Sequence, residues 1–69
     1  MNHIRNALIT AGVKNLKNLG YPQCDDSNIM TDLVYRQFFR SMLVENKGVQ
    51  KSFDPEINQI IAEIDKQKD

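Results

Sequence analysis

The chain has one cysteine, one histidine, no tryptophan and no excess of charge of either sign. Each shortage excludes something. A single thiol, Cys24, forms no intramolecular disulfide, which removes the small secreted scaffold stapled by bridges. His3 is alone and close to a chain end, so it is neither part of a zinc ligand set nor a firmly held general base. Nine basic residues balance nine acidic ones, which speaks against a dedicated nucleic-acid binder, because such affinity rests on concentrated positive charge. No apolar run approaches the ~18–20 residues of a membrane span, and the beginning of the chain lacks the continuous apolar stretch of a signal peptide. The expectation is a soluble, cytoplasmic protein.

A phosphate-binding glycine loop, a nucleophile elbow and a Cys-x-x-Cys pair are also missing. The 69 residues suffice for one domain, 1–69. A chain of that size buries only about 60% of the surface its unfolded form exposes. Its single core holds roughly 3–5 kcal/mol of stability, which leaves little packing to give up to a deep cleft. The expectation is no catalytic residue, no cofactor and no metal: a protein that is not an enzyme.

What is present is helical periodicity. Residues 3–19 read as a first helix, with Asn2 as a cap, Gly20 supplying a left-handed end and Pro22 preventing continuation. Its apolar residues, from Ile4 and Leu8 through Ile9, Ala11, Val13 and Leu16 to Leu19, cover an arc of roughly 200°, wider than a surface helix needs. Either two other helices sandwich it, or part of the arc meets a partner. Residues 31–47 form a second helix, with Thr31 as cap, a Met30–Tyr35 hydrophobic staple, Asp32 at the positive end of the dipole and Gly48 at the close. Three of the five aromatic residues, Tyr35, Phe38 and Phe39, fall in this segment, so it forms the centre of the fold. Phe38, Phe39, Tyr35, Met42, Leu16, Ile60 and Ile61 are the expected core. Asp54 as cap and Pro55 in the first turn open a third helix over 55–66, with the narrow stripe Ile57, Ile60, Ile61 and Ile64. The polar tail from Lys66 is expected to fray. No segment alternates as a strand does. The fold class is all-α, a compact three-helix bundle.

Several residues invite a chemical reading that a plainer one outweighs. Asp25, Asp26 and Asn28 resemble an acidic metal loop but lack the alternating ligands, mid-loop glycine and final glutamate of a calcium site, so they read as caps and turn formers. Cys24 precedes two aspartates, which raise a thiol pKa rather than lower it, so it reads as a small semi-buried residue and not a redox sensor. The aromatic spacing is that of a helix core face, not of a nucleic-acid stacking platform. The Tyr21–Met30 connection is too long for a helix-turn-helix.

Charge and the second helix indicate where a partner would bind. Residues 1–24 hold Arg5, Lys14 and Lys17 and no acid, while the last segment holds Asp54, Glu56, Glu63, Asp65 and Asp69 against Lys51, Lys66 and Lys68. The first helix therefore lies against the last, or it binds an anion. Opposite the aromatic stripe, Leu33, Arg36, Gln37, Arg40 and Val44 make a mixed apolar and guanidinium face. With Ile9 and Val13 at the edge of the first helix, these are the candidate partner-binding residues, set against an ordinary solvated face.

The run Gly20-Tyr21-Pro22, Asn28-Ile29-Met30-Thr31-Asp32, Val34-Tyr35, Phe38-Phe39, Met42-Leu43 and Gly48 resembles a pattern in small uncharacterised proteins encoded by bacteriophages and prophages. It covers about half of the chain, mostly core, cap and turn positions. The resemblance carries no catalytic or ligand residue. It implies a prophage or viral origin in a bacterial cytoplasm and action by binding a host or phage protein. Three readings follow. The first is a non-enzymatic accessory protein, an adaptor or inhibitor, that binds a protein. The second is a nucleic-acid-associated protein using Arg5, Lys14, Lys17, Arg36 and Arg40. The third is a homo-oligomeric assembly protein joined through Ile9, Val13 and Leu16.

Overall fold

Helix α1 (His3–Asn18), helix α2 (Leu33–Asn46) and helix α3 (Asp54–Lys66) follow one another, with a 3-10 turn (Lys51–Phe53) leading into the last. They come from a computed structural model that describes residues 3–67. Among these residues there is no strand. The extents, 29 × 26 × 24 Å, are close to equal because each helix packs against both others. The chain is an all-α three-helix bundle.

The helix ends follow from local chemistry. At the end of α1, Tyr21 N–H donates to the Leu16 carbonyl at 3.0 Å and Gly20 N–H to the Lys17 carbonyl at 3.1 Å. This Schellman arrangement needs a left-handed residue, and Gly20 has φ 103°. The end of α2 differs from the expected glycine stop. The helix closes at Asn46, Lys47 is extended, and Val49 N–H donates to the Asn46 carbonyl at 3.2 Å. Gly48, φ 84°, is therefore the third residue of a type II turn rather than the cap itself.

Two start signals are corrected. Asp32, not Thr31, caps α2: its carboxylate accepts from Val34 N–H at 2.9 Å and Tyr35 N–H at 3.1 Å. The cap thus moves one residue on, and the Met30–Tyr35 staple loses its register, because Tyr35 becomes the third helical position. Asp54 does not cap α3 either. Phe53 holds the N-cap position with no side-chain hydrogen bond, and Asp54 Oδ1 accepts from Gly48 N–H at 3.0 Å. The continuous entry from the 3-10 turn frees Asp54 to close the α2–α3 connection. The cap assigned to Asn2 lies outside the described residues, as do Lys68 and Asp69 of the tail. Gln67 is held, since its amide Nε2 donates to the Met30 carbonyl.

The core joins all three helices and the connection between the first two. Leu8 and Leu16 of α1 meet Phe39 and Leu43 of α2 and Ile57, Ile60 and Ile64 of α3. Cys24 and Ile29 complete it from the connection, both essentially without exposure. Cys24 is thus fully rather than partly buried. Phe38 is a correction in the other direction: it is 42% exposed, while Phe39 is 1% exposed. Tyr35, Met42 and Ile61 are half-buried against the cluster. The wide arc of α1 is mostly used inside the bundle. Ile4, Ile9 and Val13 pack on the cluster edge, and only Ala11 and Leu19 stand exposed.

Candidate protein-binding surface

The face proposed from the sequence survives in part. Leu33 and Val44 are 51% and 47% exposed, and Gln37 is exposed between them. The two arginines leave it. Arg36 is buried, and its Nη1 donates to the Thr31 carbonyl at 2.9 Å. It lies on the core side with Phe39 and Leu43, and its aliphatic stem is covered while its head pins the α1–α2 connection. Arg40 is half-buried, with Nε and Nη2 donating to the two carboxylate oxygens of Asp65 at 2.7 and 3.1 Å. That two-point clamp ties α2 to α3. It holds the Asp65 carboxyl below its ordinary pKa through these hydrogen bonds.

Ile9 and Val13 are half-buried against the core, so α1 does not offer them as an open edge. Two residues that the sequence did not assign to the surface, one of them expected in the core, take their place. Val34 and Phe38 are 44% and 42% exposed and stand one helical turn apart. Tyr21 supports Phe38: its ring lies 5.6 Å from that of Phe38 and 5.7 Å from that of Tyr35, the latter edge-on. The outer side of α2 thus carries Leu33, Val34, Phe38 and Val44. The i, i+4 pair Val34–Phe38 is visible in the sequence, but Phe38 and Phe39 compete for the core there.

The basic residues are dispersed. Arg5 crosses from α1 to α3, where Nη1 and Nη2 donate to the Glu63 carboxylate at 2.7 and 2.8 Å, with Glu56 at 3.5 Å. The hydrogen bond from Arg5 is the main reason the Glu63 carboxyl sits below its ordinary pKa. The first helix does lie against acids of the last. Lys14 and Lys17 remain exposed, beside a hollow of about 460 Å³ bordered also by Asp25 and Asp26. Asp25 is engaged within its own loop: Oδ1 accepts from Ser27 N–H at 2.9 Å, Ser27 Oγ at 2.6 Å and Asn28 N–H at 3.1 Å.

A larger groove, about 690 Å³, runs between α1 and the α2–α3 connection. Its apolar parts include Met42, Val49 and Phe53, and its polar ones Lys14, Asn15 and Asn46. Among the described residues no helix is long and apolar enough to cross a membrane. The chain matches no protein-family model, no curated protein and no solved structure.

Proposed function

We propose that this chain is a non-enzymatic accessory protein that works in a bacterial cytoplasm by binding another protein, as an adaptor or inhibitor. The carrying observation is the outer side of α2, where Leu33, Val34, Phe38 and Val44 are each about half exposed. They share the solvent side of α2 with exposed Gln37, Ser41 and Glu45, and exposed large apolar side chains on one side of a helix, rimmed by polar ones, are candidate contact points. The resemblance to small phage and prophage proteins supports the accessory role. Against the nucleic-acid reading stands the use of the cations: Arg5 and Arg40 engage acids of α3, and Arg36 is buried.

The test is affinity capture from bacterial lysate by the wild-type chain and by Leu33→Gln and Phe38→Gln, with partners identified by mass spectrometry. The half-exposed positions tolerate these changes, so circular dichroism stays that of the wild type. Partners are lost with the variants if α2 carries the contact. Identical capture by all three proteins overturns the α2 assignment. Sequence-specific, submicromolar DNA or RNA binding near physiological salt overturns the protein-binding reading.

A further inference from the structure

The groove between α1 and the α2–α3 connection is separate from the outer side of α2. We propose that it docks an acidic amphipathic helix of a protein partner.

The groove has the shape for a helix. Its α1 wall runs from Ala7 to Asn18, roughly 17 Å or three helical turns. Ala7 and Ala11 stand one turn apart on that wall and are exposed. Small side chains there let an incoming helix axis approach to about 8–10 Å. Across the groove, Val49 is 75% exposed, more than any other large apolar residue of the described chain. A partner leucine laid between Ala11 and Val49 reaches Met42 and Phe53 below. Asn15 Nδ2 donates to Met42 Sδ at 3.0 Å, and Asn46 Nδ2 donates to the Met42 carbonyl at 2.7 Å. Asn15 thus holds the Met42 thioether from α1, while the flexible side chain remains adaptable.

Charge selects the partner. No acidic residue lines the groove, and Lys14 does. The α1 helix contains no acidic residue at all. Lys47 and Lys51 bracket the lining residues Val49 and Gln50 and are exposed. The nearest acid of the connection, Asp54, is engaged by Gly48 N–H. Asp25 and Asp26 border the other hollow, which Lys14 and Lys17 both line, so Lys14 stands between the two and Lys47 and Lys51 add to the positive charge on the groove side. A helix with a leucine stripe and glutamate flanks meets apolar floor and lysine rim together, in the helix-in-groove mode. A basic helix of the same stripe meets like charge.

The experiment uses two labelled synthetic peptides of about 16 residues with one shared leucine stripe. One has glutamate flanks and the other lysine flanks. Fluorescence anisotropy against the full chain is expected to show the acidic peptide binding at least ~10-fold tighter, with the gap narrowing as salt rises. Lys14→Glu should weaken the acidic peptide by ~10-fold and bring the basic one closer. Ala11→Gln, a neutral change at an exposed helical site, should abolish binding with an unchanged circular dichroism melt, whereas Phe38→Gln should not affect it. Equal binding of both peptides, no binding below ~1 mM, or indifference to Lys14→Glu overturns the proposal. So does a dimer in sedimentation that Ala11→Gln dissolves, which assigns the groove to a second copy. Loss of peptide with Phe38→Gln but not with Ala11→Gln also overturns it and moves the contact to the outer side of α2.

Discussion

Gly12 of α1 lies directly against the ring of Phe39 of α2: a Cβ at Gly12 would stand 2.6 Å from both Cδ1 and Cε1 of that ring. Any side chain on α1 at this point would push the largest core residue away. The missing methyl thus sets the distance between the two helices and seats Phe39. Alanine in place of a mid-helix glycine ordinarily stabilises by about 1 kcal/mol. Here overpacking against a buried ring costs about 1–3 kcal/mol. The terminal carbon of Ile29, itself fully buried, would also stand close, at 2.9 Å. Gly12→Ala is therefore expected to lower stability by up to ~2 kcal/mol, the overpacking less the gain in propensity. A urea melt with a raised midpoint would refute this.

Phe38 and Phe39 should behave as opposites. Phe39, 1% exposed, is expected to lose about 3–5 kcal/mol on truncation to alanine, enough to unfold a domain of this size. Phe38, 42% exposed, should lose less than about 1 kcal/mol beyond its contact with Tyr21. Denaturant melts of both variants provide the comparison, and equal losses would mean that both rings share the core.

The cap of α2 offers an equally direct contrast. Asp32→Ala removes the acceptor of two backbone N–H groups and should cost ~1 kcal/mol. Thr31→Ala loses only a long 3.5 Å hydroxyl contact to the Asn28 carbonyl and should stay within about 0.5 kcal/mol. Thermal melts with the reverse order would return the cap to Thr31.

Acid should loosen the bundle through Arg5. Glu63 has its folded-state pKa below its usual value because it accepts hydrogen bonds from Arg5. A depressed carboxylate pKa stabilises the native state fully above the unfolded value and stops doing so as pH falls through the folded one. The Arg40–Asp65 clamp acts in the same direction. Wild-type stability should therefore hold at neutral pH and fall below the ordinary glutamate range. Arg5→Met removes the cation beside Glu63 and the mostly buried Glu56. Its penalty, about 1–3 kcal/mol at pH 7, should shrink toward pH 3 as Glu63 protonates. Urea melts at the two pH values measure this, and a penalty that is constant or grows in acid would remove the pair from the account.

Cys24 should be chemically silent until the chain opens. Its thiol is buried, and burial, then Asp25, raises its pKa. Ellman's reagent should modify the native protein at least ~100-fold more slowly than the urea-unfolded one. Comparable rates would show that the connection around Cys24 opens freely.

The sequence by itself determined three helices and most of their limits. Gly20 with Pro22 ends α1 by a local rule, and Gly48 and Pro55 mark the α2–α3 connection to within two residues, although the capping roles given to Thr31, Gly48 and Asp54 were misassigned. The α3 stripe was equally legible, because Ile57, Ile60 and Ile64 leave that helix one rotation that buries them. The opposite charge of the first and last helices foretold the Arg5–Glu63 contact. The rotation of α2 was not legible. Its apolar residues surround the helix, so periodicity alone does not choose between Phe38 and Phe39, or between an open and a covered Arg36. Tertiary packing decided it. The gap left by Gly12 admits the ring of Phe39, and that rotation turns Arg36 inward onto the Thr31 carbonyl and Phe38 outward onto Tyr21. Cys24 and Ile29 entered the core for the same reason: the connection crosses an opening between helices that only the assembled bundle possesses.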